Sequence, residues 1–361
     1  MLAGCGSEPP PPEPRAAPVA TATATPAARP EPQAVAVIWS LERAGRAARR
    51  LRRDPAVASV TATSREVALL RSAAAPGGRV VQRVRPGYAV PLDVLGVDPR
   101  GYAAALPEAS RRPFAGLRHG EALLSRTSAV LRRVGRGGTL RLAGGRRLRV
   151  AGVVEDEAAS GAELVVPGRR GERTGLVVLL RAGAAPDPMR LARRAERGAA
   201  GRLVGGGGPA GPARPAELKA RFGEPAVGLP YGEDWVRLDP AFVRRRIVTR
   251  SVPLLGTVTC HRATIGPLRA ALGSLERRGL GRLVDRADYA GCYAPRRIRP
   301  SGSLSLHAWG LAVDLNAAAN PFGGRSRQDP RLVRTMERHG FTWGGDWPTR
   351  PDPMHFELRG G

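Results

Sequence analysis

The chain has 361 residues and carries 58 Lys and Arg against 31 Asp and Glu, a formal net charge of +27 at pH 7. This length leaves room for two domains, and a hydrophobic fraction of 42% excludes a fully disordered chain. No apolar run approaches the roughly 18 to 20 residues that span a bilayer, so we expect no transmembrane helix.

The positive charge is almost entirely arginine, because Lys219 is the only lysine. Arginine in place of lysine, with abundant Ala, Gly and Pro, is what a GC-rich genome encodes, and the arginines are spread along the whole chain. A basic surface attracts polyanions such as nucleic acid, anionic lipid or an anionic cell wall. We expect no nucleic-acid partner, because the arginines do not form one basic block. A nucleic-acid binder would be recognised by a steeply salt-dependent affinity for DNA.

Residues 1–35 predict an anchored tether. The sequence LAGC at residues 2–5 resembles the lipobox of bacterial lipoproteins, in which Cys5 would carry the lipid, and the alternative is a chance match. A lipobox follows a basic and an apolar region, so we expect translation to begin upstream of Met1. The Pro-rich stretch that follows predicts an extended spacer. We therefore expect an extracytoplasmic protein of the cell envelope, attached to the membrane through Cys5.

We predict an α+β domain at residues 36–204. Hydrophobic spacing predicts a helix at 38–51 and strands at 57–62, 139–142, 148–154, 164–166 and 176–179, of which 139–154 form a hairpin. This half contains one histidine, His119, and no carboxylates clustered at ligand spacing. It therefore suggests no chemistry of its own.

The order of strands and turns over residues 36–185 resembles the extracytoplasmic domain of ABC-transporter permeases of the lipoprotein-export type. The segments that carry this resemblance are VLGVDP at 94–99, GEALLS at 120–125 and the predicted hairpin. Such domains bind or couple and do not catalyse, which is what the resemblance implies for this half.

A glycine- and proline-rich segment at residues 205–215 predicts a linker. It opens with four consecutive glycines and contains three prolines, a composition that breaks helices and strands. Residues 216–361 then form a second α+β domain. We expect a helix with Leu268, Leu272 and Leu275 on one face, flanking helices, and a short antiparallel sheet whose strands bear the ligands described next.

Two segments of this second half supply the side chains that a catalytic zinc requires. The sequence SLHAWGLAVD places His307 and Asp314 seven residues apart, and the sequence DPMHFE supplies Asp352 and His355. A catalytic zinc takes three nitrogen and oxygen ligands and keeps a fourth position for water, with a carboxylate nearby to take the proton of that water. We therefore predict that His307, Asp314 and His355 bind zinc. Asp352 is the predicted general base.

Together the two segments read S-x-H-x-x-G-x-A-x-D and D-x-x-H-F-E. In this pattern the chain resembles the zinc D-alanyl-D-alanine carboxypeptidases and L-alanyl-D-glutamate peptidases that cut peptidoglycan stem peptides. The resemblance covers residues 216–361 and includes VPLLG at 252–256, GCYAPR at 291–296 and FTWGGDW at 341–347. It implies a zinc-dependent peptidase acting on an amide bond of the stem peptide.

Two departures from the family pattern leave the type of cleavage open. Many relatives have Glu at the position of Asp352, whereas the endopeptidase-like branch is similar to this chain in using Asp. Arg350 stands where some carboxypeptidases of the family have a histidine. Exopeptidase and endopeptidase are therefore both retained.

The resemblance also implies residues that contact the substrate. Arg296 would pair with a substrate carboxylate or polarise the scissile carbonyl, although two further arginines stand close by. Ser305 would hydrogen-bond near the metal or the substrate, or alternatively cap a turn. Glu357 shares a strand face with His355 and would orient that ligand, or serve as an alternative base.

The remaining residues of note have structural expectations. Cys260 and Cys292 form an even pair in an oxidising compartment, so we expect a disulfide, with two unrelated buried thiols as the alternative. Trp343 and Trp347 are expected in the packed wall of the cleft. Histidines 261 and 339 have no partner motif and receive no role.

A second reading of the whole chain is not enzymatic. In it, residues 216–361 are a module that only binds the cell wall, and the N-terminal half recruits a membrane partner. The complete set of three ligands and a base favours the enzyme, because drift would be expected to break at least one of the four residues.

Overall fold

The structure, a computed structural model, describes residues 35–39, 41–168, 173–184, 187–197, 199–203, 215–232, 234–298, 301–347 and 350–358. All of these belong to one compact unit. The predicted tether with Cys5, and all of the predicted linker except Pro215, lie outside the described residues. Within the described residues, no helix has the length and apolar character needed to cross a membrane.

Helices and strands alternate irregularly along the chain, which confirms the α+β class. The strands are β1 Val35–Trp39, β2 Val57–Ala74, β3 Val80–Arg83, β4 Tyr88–Val97, β5 Glu121–Ser125, β6 Thr139–Leu142, β7 Arg147–Val154, β8 Leu164–Pro167, β9 Arg173–Leu180, β10 Ala200–Leu203, β11 Val227–Gly228, β12 Ile247–Val252, β13 Gly256–His261, β14 Ala312–Asp314, β15 Phe341–Trp343 and β16 His355–Leu358. The helices are α1 Ala44–Leu51, α2 Pro99–Ala104, α3 Glu108–Ala115, α4 Arg126–Arg132, α5 Pro188–Ala195, α6 Pro215–Phe222, α7 Pro240–Arg246, α8 Arg262–Arg277, α9 Leu306–Trp309 and α10 Pro330–Arg338.

Strand β2 organises a barrel-like sheet in the first half. Its 18 residues pair in turn with β9, β4 and β6. The strand order β2-β6-β7-β5-β8-β4, closed by the pairing of β4 with β2, makes a ring of strands, and β9, β1 and β10 extend the sheet beyond β2. Fully buried leucines from these strands, such as Leu70, Leu92, Leu124 and Leu140, form its core.

The predicted helix over residues 38–51 is wrong in its first part. Ile38 lies in β1, which pairs antiparallel with both β9 and β10, and α1 begins at Ala44. Valine, isoleucine and tryptophan in β1 favour a strand, and the partners that decide the matter are distant in sequence. The predicted strands all exist, and the one at 57–62 continues to Ala74.

The second half builds its own core around a small antiparallel sheet with the order β14-β16-β15. Helix α10 packs between this sheet and α8, and the β12-β13 hairpin packs on α8. His261 caps the start of α8, because its Nδ1 accepts a hydrogen bond from the backbone of Ala263 at 3.0 Å. As predicted, Leu268, Leu272 and Leu275 are buried on one face of α8.

The two halves meet through backbone pairing and buried charge. Strand β11 pairs antiparallel with β4 and so adds to the first sheet. We call Arg132, Glu163, Lys219 and Glu224 the junction cluster. Lys219 Nζ lies 2.6 Å from Glu163 Oε2, Arg132 Nη2 lies 2.8 Å from Glu163 Oε1, and Arg132 Nη1 lies 2.5 Å from Glu224 Oε1. The junction cluster thus joins the barrel to α6 and the residues that follow it.

Candidate functional site

The three residues predicted as metal ligands lie together. The ligand atoms of His307, Asp314 and His355 are all within 4.8 Å of one another, and the three side chains are buried. Asp314 Oδ1 is 2.8 Å from His355 Nδ1, Asp314 Oδ2 is 3.2 Å from His307 Nε2, and the two imidazole nitrogens are 3.1 Å apart. Two nitrogens and a carboxylate that converge in this way could hold a metal ion.

Three short elements bring these residues together. His307 lies on α9, where Ser305 caps the helix by accepting a hydrogen bond from the His307 backbone at 3.3 Å. Gly310 ends the helix at φ 69°, and a Cβ there would lie 2.4 Å from the backbone nitrogen of His261, so only glycine fits. The chain then enters β14, which places Asp314 directly opposite His355 of β16.

The expectation that strands bear all the ligands is therefore wrong for His307. A four-residue helix carries it, because Ser305 supplies a cap and Gly310 a left-handed stop within five residues. For Ser305, the contact present is the turn cap, one of its two predicted roles. Asp314 and His355 do lie on strands.

Each imidazole is oriented by a hydrogen bond from its other nitrogen. Nδ1 of His307 donates to the carbonyl oxygen of Cys292 at 2.9 Å, and Nε2 of His355 donates to Glu357 Oε1 at 3.1 Å. These partners assign the tautomers that leave His307 Nε2 and His355 Nδ1 facing Asp314. Metal-binding histidines in proteins are commonly held by outer partners of this kind.

The electrostatics of the group favour an ionised Asp314. Burial would raise the pKa of Asp314, but hydrogen bonds from His307 and His355 outweigh it and hold the pKa well below its usual range. Burial would likewise lower the pKa of His355, whereas its contacts with Asp314 and Glu357 raise that pKa to about 10. In both cases a neighbour of opposite charge decides the direction.

Asp352 lies beside this group, and its side chain has fewer hydrogen-bond partners. It is 9% exposed, and its Oδ1 has no hydrogen-bond partner among the described residues. Its backbone is fixed by a bond from its own nitrogen to Gly344 O at 2.9 Å and by one from the His355 nitrogen to its carbonyl at 3.1 Å. Burial raises the pKa of Asp352, although the nearby charge of His355 acts against this. A buried carboxylate oxygen without a partner is costly, and this one lies next to the three clustered side chains.

Arg296 and its neighbour Arg297 have different surroundings. The half-buried Arg296 is close enough for its charge to lower the pKa of Asp352. Arg297 turns the other way, with Nη1 donating to Gly232 O at 2.6 Å and its guanidinium 4.5 Å from the Tyr231 ring centroid. Of the two, Arg296 faces the site. Arg299 lies outside the described residues.

A disulfide connects the site to strand β13. Cys260 and Cys292 are bonded, with their Cα atoms 5.4 Å apart. Gly291, next to Cys292, bridges Asp314, and the carbonyl of Cys292 holds His307. The disulfide therefore ties the short segment that touches two ligands to the end of β13.

Further side chains and one backbone group lie near the cluster. The Trp347 ring lies 5.3 Å from the His355 ring, and Trp343 Nε1 donates to Pro353 O at 2.8 Å, so both tryptophans border the cluster. Tyr289 lies near Asp314, and its pKa is raised to about 12 by burial and by that carboxylate. The carbonyl of Cys292 is a backbone group, which no side-chain pattern reveals.

His261 and His339 serve as structural hydrogen-bond partners, to Ala263 and to Thr335.

Two comparisons with known proteins find matches. A family model described as D-alanyl-D-alanine carboxypeptidase matches residues 299–358, which contain the three clustered ligands and Asp352. The resemblance predicted from the motifs is confirmed over this stretch, which is a minor part of the chain. Among solved structures, the periplasmic region of MacB from Actinobacillus actinomycetemcomitans matches 47% of this chain and 89% of that one, at 13% identity and a TM-score of 0.29. Over residues 299–358, the chain is thus similar to D-alanyl-D-alanine carboxypeptidases.

Proposed function

We propose that the protein is a zinc-dependent peptidase that hydrolyses an amide bond in peptidoglycan stem peptides. The bond is of the D-Ala-D-Ala carboxypeptidase type or the L-Ala-D-Glu endopeptidase type. The observation that carries the proposal is the unpartnered Oδ1 of Asp352, buried beside a cluster of two imidazoles and a carboxylate. An oxygen left free in this position is available to a proton of water or substrate.

The donor set fits zinc. Two imidazole nitrogens and one carboxylate oxygen are the usual protein ligands of catalytic zinc, and each imidazole already has its second nitrogen engaged. His307, Asp314 and His355 would hold the ion. When bound, zinc would supply a Lewis acid that lowers the pKa of water and polarises a carbonyl.

Asp352 would move the proton. Its carboxylate takes a proton from the attacking water at Oδ1, and the hydroxide oxygen bonds to the scissile carbonyl carbon. The same carboxyl then gives that proton to the leaving nitrogen as the C–N bond breaks, so that one water is consumed and one acid and one amine are formed. A raised pKa suits a group that must both accept and return a proton.

Arg296 would bind substrate. Its planar guanidinium suits a peptide carboxylate or the negative charge that develops on the scissile oxygen. Ser305, already engaged as a cap, would contribute mainly by setting the position of His307. Glu357 would hold His355 in orientation.

The cellular setting is part of the proposal. Cys5 would carry a lipid, and the Pro-rich stretch after it would hold the domain near the cell wall. Residues 36–204 would then serve as a binding or coupling part with its own membrane partner. A Cys5→Ser variant should move from the membrane fraction to the soluble envelope fraction, and its retention in membranes would refute the anchor.

The decisive experiment combines metal analysis with substrate cleavage. Wild type, Asp352→Ala and Asp346→Ala are each assayed for zinc and incubated with purified tetrapeptide and pentapeptide muropeptides, and the products are identified by mass spectrometry. Asp346 is a matched control, an exposed aspartate six residues away. We expect about one zinc per chain in all three and cleavage by wild type and Asp346→Ala alone.

Each product has a distinct meaning. Loss of terminal D-Ala establishes a carboxypeptidase, and cleavage after L-Ala establishes the endopeptidase. Bound zinc without cleavage of any stem peptide by the wild type contradicts the hydrolase and supports the wall-binding module instead.

A further inference from the structure

Trp235 is an exposed aromatic side chain in the segment that precedes α7. It exposes 66% of its surface, more than any other aromatic residue in the described ranges. Val236 and Leu238 are buried, at 7% and 4%, so the segment alternates between the core and solvent. An exposed indole offers a large, flat apolar face with a polar N–H, which suits contact with a ligand when other binding groups lie beside it.

The backbone places Trp235 beside Arg296. The two residues form an antiparallel bridge, flanked by a bond from Val236 N to Pro295 O at 2.9 Å and one from Arg297 N to Asp234 O at 2.8 Å. In this non-hydrogen-bonded type of pair, the two side chains point to the same side with Cβ atoms roughly 4.5 to 5.5 Å apart. Trp235 therefore shares its face with Arg296.

Ile298 extends the same face. It stands two residues after Arg296 in the extended segment and is 44% exposed. Trp235, Arg296 and Ile298 form what we call the rim strip, in which apolar surface flanks one guanidinium.

The rim strip borders the candidate site. Ser305 N donates to Arg296 O at 3.0 Å, and Ala294 N donates to His307 O at 3.0 Å, so the segment runs alongside the start of α9. Trp235 thus lies across the bridge from a residue whose backbone contacts the start of α9, the helix that carries His307.

Side-chain contacts of Arg297 and Tyr231 support the segments that carry the rim strip. Arg297 stacks on Tyr231 and bonds to Gly232 O, and the Tyr231 hydroxyl donates to Gly302 O at 2.8 Å. These contacts connect Tyr231 and Gly232 to Arg297 and Gly302. A preorganised aromatic surface loses little conformational entropy when a ligand binds.

We infer that Trp235 is a saccharide platform, on which a sugar ring of the glycan strand stacks while its attached stem peptide enters the site past Arg296. This rests on the proposed function. A pyranose presents a face of C–H groups that packs on the electron-rich face of an indole, and tryptophan offers the largest such face. The preferred substrate is then a stem peptide that still carries its saccharide.

The test compares two substrates that differ only in the saccharide. A disaccharide-linked stem peptide and the same stem released from the sugar are offered to wild type, Trp235→Ala, Trp235→Tyr and Val130→Ala. Val130 is a control for exposed apolar surface, being 72% exposed on α4. Trp235→Ala should raise KM for the saccharide-linked stem about tenfold with kcat unchanged, and should alter KM for the free stem less than about twofold. Trp235→Tyr should restore most of the loss, and Val130→Ala should behave as wild type.

A binding measurement decides the inference independently of catalysis. Calorimetric titration of the saccharide-linked stem into Asp352→Ala, with and without Trp235→Ala, should show a Kd about tenfold weaker in the double variant. An equal loss for both stems would overturn the saccharide role and indicate a peptide contact, and no loss for either would overturn any substrate role. If the wild type cleaves neither stem, the proposed hydrolase fails while the titration still decides Trp235.

Discussion

Two buried groups of charged residues in this molecule have opposite character. The junction cluster pairs Arg132 and Lys219 with Glu163 and Glu224, so its charges balance, and both oxygens of Glu163 are engaged. The candidate site gathers three carboxylates, of Asp314, Asp352 and Glu357, around two imidazoles. One Asp352 oxygen lacks a partner among the described residues.

The difference separates charges that hold a fold from charges that act on a ligand. Oppositely charged ions that are paired with one another compensate part of the cost of leaving water. The cost of burying an excess of carboxylates is compensated when a cation binds to them. The cost of burying an oxygen without a partner is compensated when a hydrogen-bond donor binds to it. The same residue types therefore stabilise one region and remain available in the other. Replacing a carboxylate by its amide in each group tests this distinction.

Asp352→Asn should have the largest effect, and it should fall on activity. Loss of a general base is expected to lower kcat by about 10² to 10⁴. The melting temperature should stay the same or rise, since a buried carboxylate with a raised pKa is replaced by a neutral group. Stem-peptide cleavage and thermal unfolding measure the two quantities. A large drop in melting temperature would show that Asp352 is structural.

Glu163→Gln should show the reverse. It leaves Lys219 and Arg132 buried without their carboxylate, which is expected to lower the free energy of unfolding by about 3 to 5 kcal/mol. Denaturant unfolding measures this. Glu155→Gln, which removes an exposed pair with Arg126, is the control and should change little. Zinc content and kcat of folded Glu163→Gln should match wild type, and lost zinc would mean that the two groups are coupled.

His261 is a buried titratable side chain whose pKa is lowered mainly by burial, so the pH dependence of stability tests the cost of that burial. Burial, together with the charges of Arg246 and Arg262, lowers its pKa to about 4, so the folded protein favours the neutral imidazole. Its contribution to stability is complete above about pH 6.5 and is lost as the pH falls from 6.5 toward 4, by about 3 kcal/mol in all. His261→Asn keeps a capping oxygen for α8 but does not titrate. Unfolding of both proteins across this window should show a steeper loss in wild type, and parallel curves would exclude His261.

Glu357→Gln should have the smallest effect. The amide oxygen still accepts from His355 Nε2, but the negative charge that strengthens this ligand is gone. Zinc affinity is expected to fall about tenfold, with unfolding near that of wild type. Competition with a chelator of known affinity measures it. Glu337→Gln, an exposed carboxylate, should leave the affinity unchanged, and equal values for both variants would remove Glu357 from the metal site.

The candidate site could be predicted further than the fold. His307, Asp314, Asp352 and His355 are recognisable because the chemistry resides in their side chains at short spacings. The carbonyl of Cys292 could not be found, since a backbone acceptor leaves no pattern. Cys260 and Cys292 are bonded as expected, but sequence alone leaves two unrelated thiols as the alternative, because the distance between the residues in space does not follow from their spacing along the chain.

The barrel-like sheet lay beyond sequence reasoning for a related reason. Strand β2 is predicted to span six residues, but it has 18 residues and four partner strands, β3, β4, β6 and β9, the last of them more than a hundred residues away along the chain. Local periodicity reports which residues favour strands and not which strands meet. The same gap explains the wrong helix at Ile38, whose pairing partners β9 and β10 are remote.

The single lysine of the chain has a practical consequence. Lys219 is 2% exposed, and its ammonium donates to Glu163 and to Pro91 O. An acylating reagent selective for primary amines therefore has one internal target, hidden while the halves are joined. Covalent labelling at Lys219 proceeds only through opening of the junction, so its rate under native conditions reports the free energy of that opening. The rate of acylation at Lys219 is thus a direct measure of how often the two halves separate.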